Sequence, residues 1–169
     1  SIAAVDYLLK RGHRSIGLIN GPDTLLASSQ RKEGYIKALQ KNRLKYDPSL
    51  IVNCDLTESG TKIALENLIS TKRKPTAIVT FNDYVSAFAI KHSQDLLSEN
   101  VNNLEFVSYA NTPMINFMGN GPVASVEQFP AMQAQKAADV LFFFFNNKDR
   151  DQNAFYQVII ESELVPNHQ

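Results

Sequence analysis

A three-layer α/β/α fold around a mostly parallel sheet is predicted from three features of this 169-residue sequence. Short β-branched runs alternate with helical patterns almost from end to end, the order that sets parallel strands side by side with helices on both faces. The run Pro75-Thr76-Ala77-Ile78-Val79-Thr80 reads as a strand buried on both faces, and it stops at Phe81-Asn82-Asp83 before a new helical pattern. Apolar residues make up 44% and charged residues 20%, enough apolar material for the core of one domain, or of one lobe of a larger protein.

Residues 2–11 read as a helix with Val5, Leu8 and Leu9 on one face and Gly12 as its C-terminal cap. A strand is expected at 15–19, then a polar loop over 20–29 that contains Gly21-Pro22. Residues 30–42 form a helix whose inner face is Gly34, Tyr35, Ala38 and Leu39. Asp47-Pro48 turns the chain into a strand at 50–53, and a helix over 58–70 turns Ala64, Leu65, Leu68 and Ile69 inward. A strand at 77–80 leads to a helix over 83–97, which Asp83 is placed to cap. Next come a strand at 104–109, a loop with a short helix up to Met118, and a strand at 123–126. A long helix over 131–146, a polar segment at 146–153 and a last strand at 155–161 complete the chain. Within the long helix Val140-Leu141-Phe142-Phe143-Phe144-Phe145 is apolar around nearly the whole circumference, which calls for a partner surface.

The 17 basic residues balance the 17 acidic ones, so the basic surplus of a nucleic-acid-binding module is missing and direct contact with DNA is not expected. Lys10 with Arg11, Lys41 with Arg43, and Lys72 with Lys74 fall at or just past helix C-termini, where cations suit the dipole. Cys54 is a lone cysteine, which favours a reducing cytoplasm, and no secretory signal or long apolar span is present, so no membrane association is expected. The sequence opens without Met inside a helical pattern and reads as a fragment.

Signatures of serine hydrolases, zinc proteases and phosphate loops are missing, so no enzyme activity and no cofactor are expected. Cys54 reads as a structural thiol, and His13, His92 and His168 are too scattered for a metal site. The remaining candidates sit at strand-to-helix junctions, where open α/β sheets bind ligands. Arg31, read in the first turn of its helix where a cation opposes the dipole, could clamp vicinal hydroxyls or a carboxylate. Asn82 offers the donor and acceptor that a hydroxyl needs, and Asn111 and Gln128 follow two further strands. His92 shares the apolar side of its helix with Val85, Phe88, Ala89 and Leu96, as a core or interface histidine.

Several motifs then occur in one order: Tyr7-Leu8-Leu9, Gly12-His13, Ile16-Gly17-Leu18-Ile19 and Gly21-Pro22, followed by Arg31, Gly34-Tyr35 and Ala38-Leu39. They continue with Pro75-Thr76-Ala77-Ile78 and Asn82-Asp83, then Val126-Glu127-Gln128, Lys136-Ala137-Ala138-Asp139-Val140-Leu141 and Glu163-Leu164-Val165. This set resembles the effector-binding region of LacI/GalR-type transcriptional regulators, over essentially the whole chain. The resemblance implies a periplasmic-binding-protein-like lobe: residues 1–128 as the second lobe, 129–153 as a segment returning to a first lobe upstream, and 154–169 as closing strand and tail. It implies a sugar- or nucleoside-like effector held between the lobes by Arg31, Leu56, Asn82, Asn111 and Gln128, with Asp83 capping the helix at the site. It also implies a homodimer formed through Val85, Phe88 and His92, and operator DNA bound through an upstream helix-turn-helix. The chain departs from the family at Val107-Ser108-Tyr109-Ala110-Asn111, where Ala110 replaces a carboxylate that often binds effector, and at Leu56, where an aromatic is expected. These departures weaken the case for a typical pyranose site and leave the fold untouched. A solute-binding protein of a sugar transporter with the same fold is the alternative; a helix-turn-helix upstream supports the first reading and a signal peptide the second.

Overall fold

The computed structural model describes residues 1–96, 104–146 and 157–167. Five parallel strands run in the order β2 (Ile51–Asn53), β1 (Ile16–Asn20), β3 (Ala77–Thr80), β4 (Glu105–Ala110) and β5 (Ala124–Glu127), and β6 (Glu163–Pro166) joins β5 antiparallel. Helices α1 (Ile2–Lys10), α2 (Leu26–Lys41), α3 (Glu58–Ile69), α4 (Asp83–Leu96) and α5 (Pro130–Asn146) fill the intervals, with short 3-10 turns at Pro48–Leu50 and Pro113–Phe117. This is the predicted three-layer α/β/α arrangement.

The alternation of side chains along each strand sorts the core into two halves. On one face Ile16 and Leu18 of β1, Ala77 and Val79 of β3, Val107 and Tyr109 of β4, and Ala124 and Val126 of β5 pack under α1 and α2. On the other, Ile19, Ile78 and Phe106 pack under α3 and α4 through Ala64, Leu65, Leu68, Val85, Ala89 and Ile90. The Tyr35 hydroxyl donates to the Ile16 carbonyl at 2.7 Å, which fixes α2 against β1 and satisfies the only polar atom of a buried side chain. Gly12 follows α1 at φ +99°, a left-handed position that only glycine takes freely, and nothing lies within reach of a Cβ there.

Three expectations are corrected. The helix expected from residue 30 begins at Leu26, because the loop after β1 closes with Leu25 N–H bonded to the Pro22 carbonyl and Ser28 N–H to the Leu25 carbonyl. Arg31 therefore lies in the second turn of α2, and the dipole argument for it lapses. The last strand lies at Glu163–Pro166 and not at 155–161; residues 157–161 form no strand, with Val158 52% and Ile159 77% exposed, and residues 155–156 lie outside the described residues. Apolar content marked the wrong segment, because strand pairing depends on which segment reaches the open edge of β5, where Val165 faces Ser125 and Leu164 faces Val126. Position 97, taken as the end of the fourth helix, also lies outside the described residues, as does His168.

At the amino-terminal ends of the strands a charged cluster ties three elements together. Arg11 grips both oxygens of Glu105, at 2.6 and 2.7 Å, and His13 places Nε2 2.9 Å from Glu105 and Nδ1 2.9 Å from the Thr76 hydroxyl. The Arg11 guanidinium holds the Glu105 carboxyl down from its ordinary 4.5 to about 2. A lowered folded-state pKa contributes stability that is complete above 4.5 and is lost as pH falls toward 2. The Arg11 side chain is 42% exposed, so solvent screening keeps the pair below about 1 kcal/mol. Glu105→Gln should lower the neutral-pH Tm by no more than about 4 °C and flatten the loss of Tm in acid; calorimetry across that pH interval is the measurement.

Candidate functional site

The opposite rim, at the carboxyl ends of the parallel strands, is organised by one buried carboxylate. Asp83, the first residue of α4, is fully excluded from solvent. Its Oδ1 accepts from the hydroxyls of Ser108, on β4, and Ser125, on β5, the latter at 2.9 Å; its Oδ2 accepts from the Thr112 backbone N–H at 2.6 Å and the Thr112 hydroxyl at 2.9 Å. Ser108 and Ser125 are register partners across β4 and β5, 3.0 Å apart at their hydroxyls. Ser125 also accepts from the Asn111 N–H at 3.0 Å. One carboxylate thus fastens α4, β4, β5 and the turn after β4.

That turn carries backbone strain. Ala110 has φ +99° and Asn111 φ +52°, and both Leu56 after β2 and Phe129 after β5 are also left-handed, at +68° and +53°. Asn tolerates this region through local hydrogen bonding, whereas Ala110 sits where a Cβ is disfavoured. The surrounding bonds hold the turn in place: Asn111 Nδ2 donates to Glu127 at 3.0 Å, and the other Glu127 oxygen accepts from the Phe129 N–H at 2.7 Å. Those donors keep the Glu127 carboxyl below its ordinary value.

Beside this turn stands Arg31. Its guanidinium carbon lies over the Phe81 ring, 4.0 Å from the centroid, and over the Tyr109 ring, 4.4 Å from the centroid, two cation–π contacts on one side chain. Tyr109 is 4% exposed, with its hydroxyl bonded to Ser1 at 2.7 Å. Arg31 Nη1 is buried without a hydrogen-bond partner among the described residues, and burial pushes the guanidinium below its ordinary value. Under the stack the loop after β1 approaches closely: a Cβ on Gly21 would stand 2.7 Å from the Phe81 ring and 3.0 Å from the Ser28 hydroxyl. Asn20 donates from Nδ2 to the Ser28 carbonyl at 3.0 Å, while its Oδ1 and the Ser28 hydroxyl are buried without partners among the described residues.

The predicted site residues are thus spread along one row of strand ends. Arg31 touches the two rings, and Asn82 and Asn111 follow neighbouring strands β3 and β4, whereas Leu56 follows edge strand β2 and packs with the α3–α4 core, and Gln128 follows β5. The Gln128 carbonyl receives the Gln133 side chain at 2.5 Å. The helix cap is reassigned: Asn82 Oδ1 accepts from the Val85 N–H at 2.9 Å, which frees Asp83 to act as the hub. Val85, expected at a dimer face, has no exposed surface and belongs to the core, so it cannot reach a partner. Phe88 and His92 are part-exposed, and His92 Nε2 lies 3.2 Å from Glu58, which Lys91 also contacts at 2.8 Å. Sequence reading overlooked Ser108, Ser125 and Thr112, although a serine in the middle of each of two apolar strands was a visible signal. Among the described residues no group of side chains is arranged to hold a metal ion, and no helix is long and apolar enough to cross a membrane. Asp83→Ala would leave two buried hydroxyls and a backbone amide without their acceptor, and should cost at least about 3 kcal/mol in urea unfolding.

Comparison with known proteins follows the same outline. The family described as a periplasmic binding protein-like domain matches residues 5–166. The chain is 29% identical over 126 residues to the HTH-type transcriptional repressor CytR of Escherichia coli, covering 74% of this chain and 36% of that protein. It is 24% identical over 164 residues to the HTH-type transcriptional repressor PurR of Vibrio atlanticus, covering 96% and 49%. Among solved structures, the transcriptional regulator CelR–cellobiose complex superposes with a TM-score of 0.86 at 21% identity, over 97% of this chain and 49% of that one. A LacI-family regulatory protein from Chloroflexus aggregans superposes at 0.83 and 24% identity, over 96% and 57%. At these identities the structural likeness concerns the fold. The chain spans half or less of the length of these two curated relatives.

Proposed function

The chain belongs to the periplasmic binding protein-like domain family and is homologous to LacI-family repressors, and from that premise we propose that it is the effector-sensing lobe of a DNA-binding transcriptional regulator. The effector is a small sugar- or nucleoside-like molecule held against the carboxyl ends of the strands. The observation that carries this reading is Arg31, over the rings of Phe81 and Tyr109 with a buried N–H that has no partner among the described residues, at the rim where open α/β sheets bind their ligands. A flat apolar-faced clamp with an in-plane donor suits a ring that carries hydroxyl or oxo groups. Asn82 commits its oxygen to the cap and keeps its amide N–H donors for the ligand.

Residues 1–128 form the second lobe in this reading, 129–153 return to a first lobe upstream, and 154–169 close the second lobe. Operator contact belongs to an upstream helix-turn-helix, since the balanced charge of this chain gives no basic surplus for DNA. The protein acts in the cytoplasm, as a homodimer, and performs no catalysis. Phe88 and His92 remain candidates for the dimer face. Helix α5 has no buried residue, and Leu141, Phe142 and Phe145 are 54%, 66% and 66% exposed. Apolar exposure of that extent suits a helix that seats on another lobe.

Two outcomes are expected. Sugars or nucleosides should raise the Tm of the whole protein, and Arg31→Ala should weaken the best of them by about 1.5–3 kcal/mol in calorimetry, as for loss of a charge-assisted hydrogen bond. Equal affinity in the variant removes Arg31 from the site. This chain alone should self-associate at micromolar concentration through α5, whose exposed Phe side chains are each worth roughly 1.5–3 kcal/mol on burial; a clean monomer in light scattering would contradict the lobe-seating role.

A further inference from the structure

The amino-terminal end of the sheet, opposite the proposed effector rim, carries a run of exposed positive charge. Strands β2, β1 and β3 are neighbours, and the connection entering each of them brings cations to this end. Lys10 and Arg14 precede β1, Lys41 and Lys45 precede β2, and Arg73 precedes β3; all five are exposed. Two clefts join them. One, of about 380 Å³, is walled by Leu9 and Leu44 and edged by Lys10, Arg14, Lys41 and Asp6. The other, of about 370 Å³, is walled by Tyr46 and Pro48 and edged by Lys45, Arg73 and Asp47. Arg73 Nη2 donates to the Arg14 carbonyl at 2.8 Å, which sets the two clefts side by side.

The carboxylates of this strip do not balance it. Asp6 pairs with Lys41 at 3.0 Å, and Asp47 is bonded by the Ser49 N–H and hydroxyl at 3.0 and 2.7 Å. Five cations against two carboxylates leave a surplus of three on a chain whose formal total is zero. Helix dipoles account for Lys10 and Lys41, each the last residue of its helix, but their effect falls off within that turn. Arg14, Lys45 and Arg73 each stand four residues past a helix end, where no dipole requires them. A one-sign patch beside apolar walls is the complement of an acidic surface that also carries apolar side chains. A nucleic-acid backbone, with a phosphate at every step, would meet Asp6 in one cleft and Asp47 in the other. A peptide can space its carboxylates to the cations and place apolar side chains in the clefts.

We infer that this strip docks an acidic peptide segment of a partner protein, its carboxylates against Lys10, Arg14, Lys45 and Arg73 and its apolar side chains in the two clefts. The site lies at the far end of the strands from Arg31, so it stands independently of the effector reading.

The test is fluorescence anisotropy on the whole protein with a labelled peptide of glutamates flanking a pair of leucines, and with its glutamine counterpart. The acidic peptide should bind at least about tenfold more tightly than the glutamine one. That preference should fade between about 0.01 and 1 M salt, as the Debye length shrinks from ~30 to ~3 Å. Lys10→Glu combined with Lys45→Glu should remove it; both side chains are exposed, so the variant should keep the parent Tm. Lys62→Glu, exposed on α3 and outside both clefts, should bind as the parent does. Equal binding of the two peptides, or full binding by the double variant, overturns the inference. Displacement of the bound peptide by duplex DNA overturns the peptide as the occupant.

Discussion

The Asp83 carboxylate is the constraint on which the carboxyl-end half of the sheet depends. Removing a charged carboxylate from water without a cation is among the most expensive arrangements in a protein, and it is tolerated only when donors replace the lost hydration. Here the donors come from β4, β5 and the turn after β4, while the carboxylate itself begins α4. Its place in the first helical turn adds a favourable dipole term. Because every donor belongs to a different segment or atom type, the bonds cannot be kept if any one of those segments slides. The network therefore fixes relative positions, which hydrophobic contacts between the same elements specify far less sharply.

From that fixed frame follow the positions of the aromatic pair. Phe81 lies two residues before Asp83 and Tyr109 one residue after Ser108, so both rings are placed by elements that the carboxylate holds. Arg31 arrives from α2, which Tyr35 and its bond to the Ile16 carbonyl seat on the sheet. Gly21 completes the arrangement, since any side chain there would intrude on the Phe81 ring. The clamp is thus assembled from three separately anchored elements. Its components are therefore ordered without any added partner.

The two ends of the sheet are built differently. At the amino end the Arg11–Glu105–His13 cluster lies partly in solvent and joins the connections before β1, β3 and β4. At the carboxyl end the polar groups are buried, the backbone is left-handed at four positions, and Asn20 Oδ1, Ser28 Oγ and Arg31 Nη1 have no partner among the described residues. Helix α5 stands apart from both ends, with none of its residues buried in the core.

The sequence by itself determined the order of elements, the parallel sheet and the two-sided core, because each rests on short-range periodicity: β-branched runs, helical spacing, and Gly12 at a left-handed cap. It also placed Asn82 and Asn111 just past strand ends, since topology carries the end of every parallel strand to one rim, but set Arg31 one helical turn too early. It mistook Asp83 for the cap, Val85 for surface and 155–161 for a strand, because each of these depends on a neighbour distant in the chain. Whether Val85 is covered depends on the strands beneath α4, and which segment pairs with β5 depends on which one reaches its edge. Only the tertiary structure brought Ser108 and Ser125 into register around Asp83 and closed two rings on Arg31. Those contacts join residues 17 to 78 positions apart, and no local pattern encodes a distance that the sheet register alone sets.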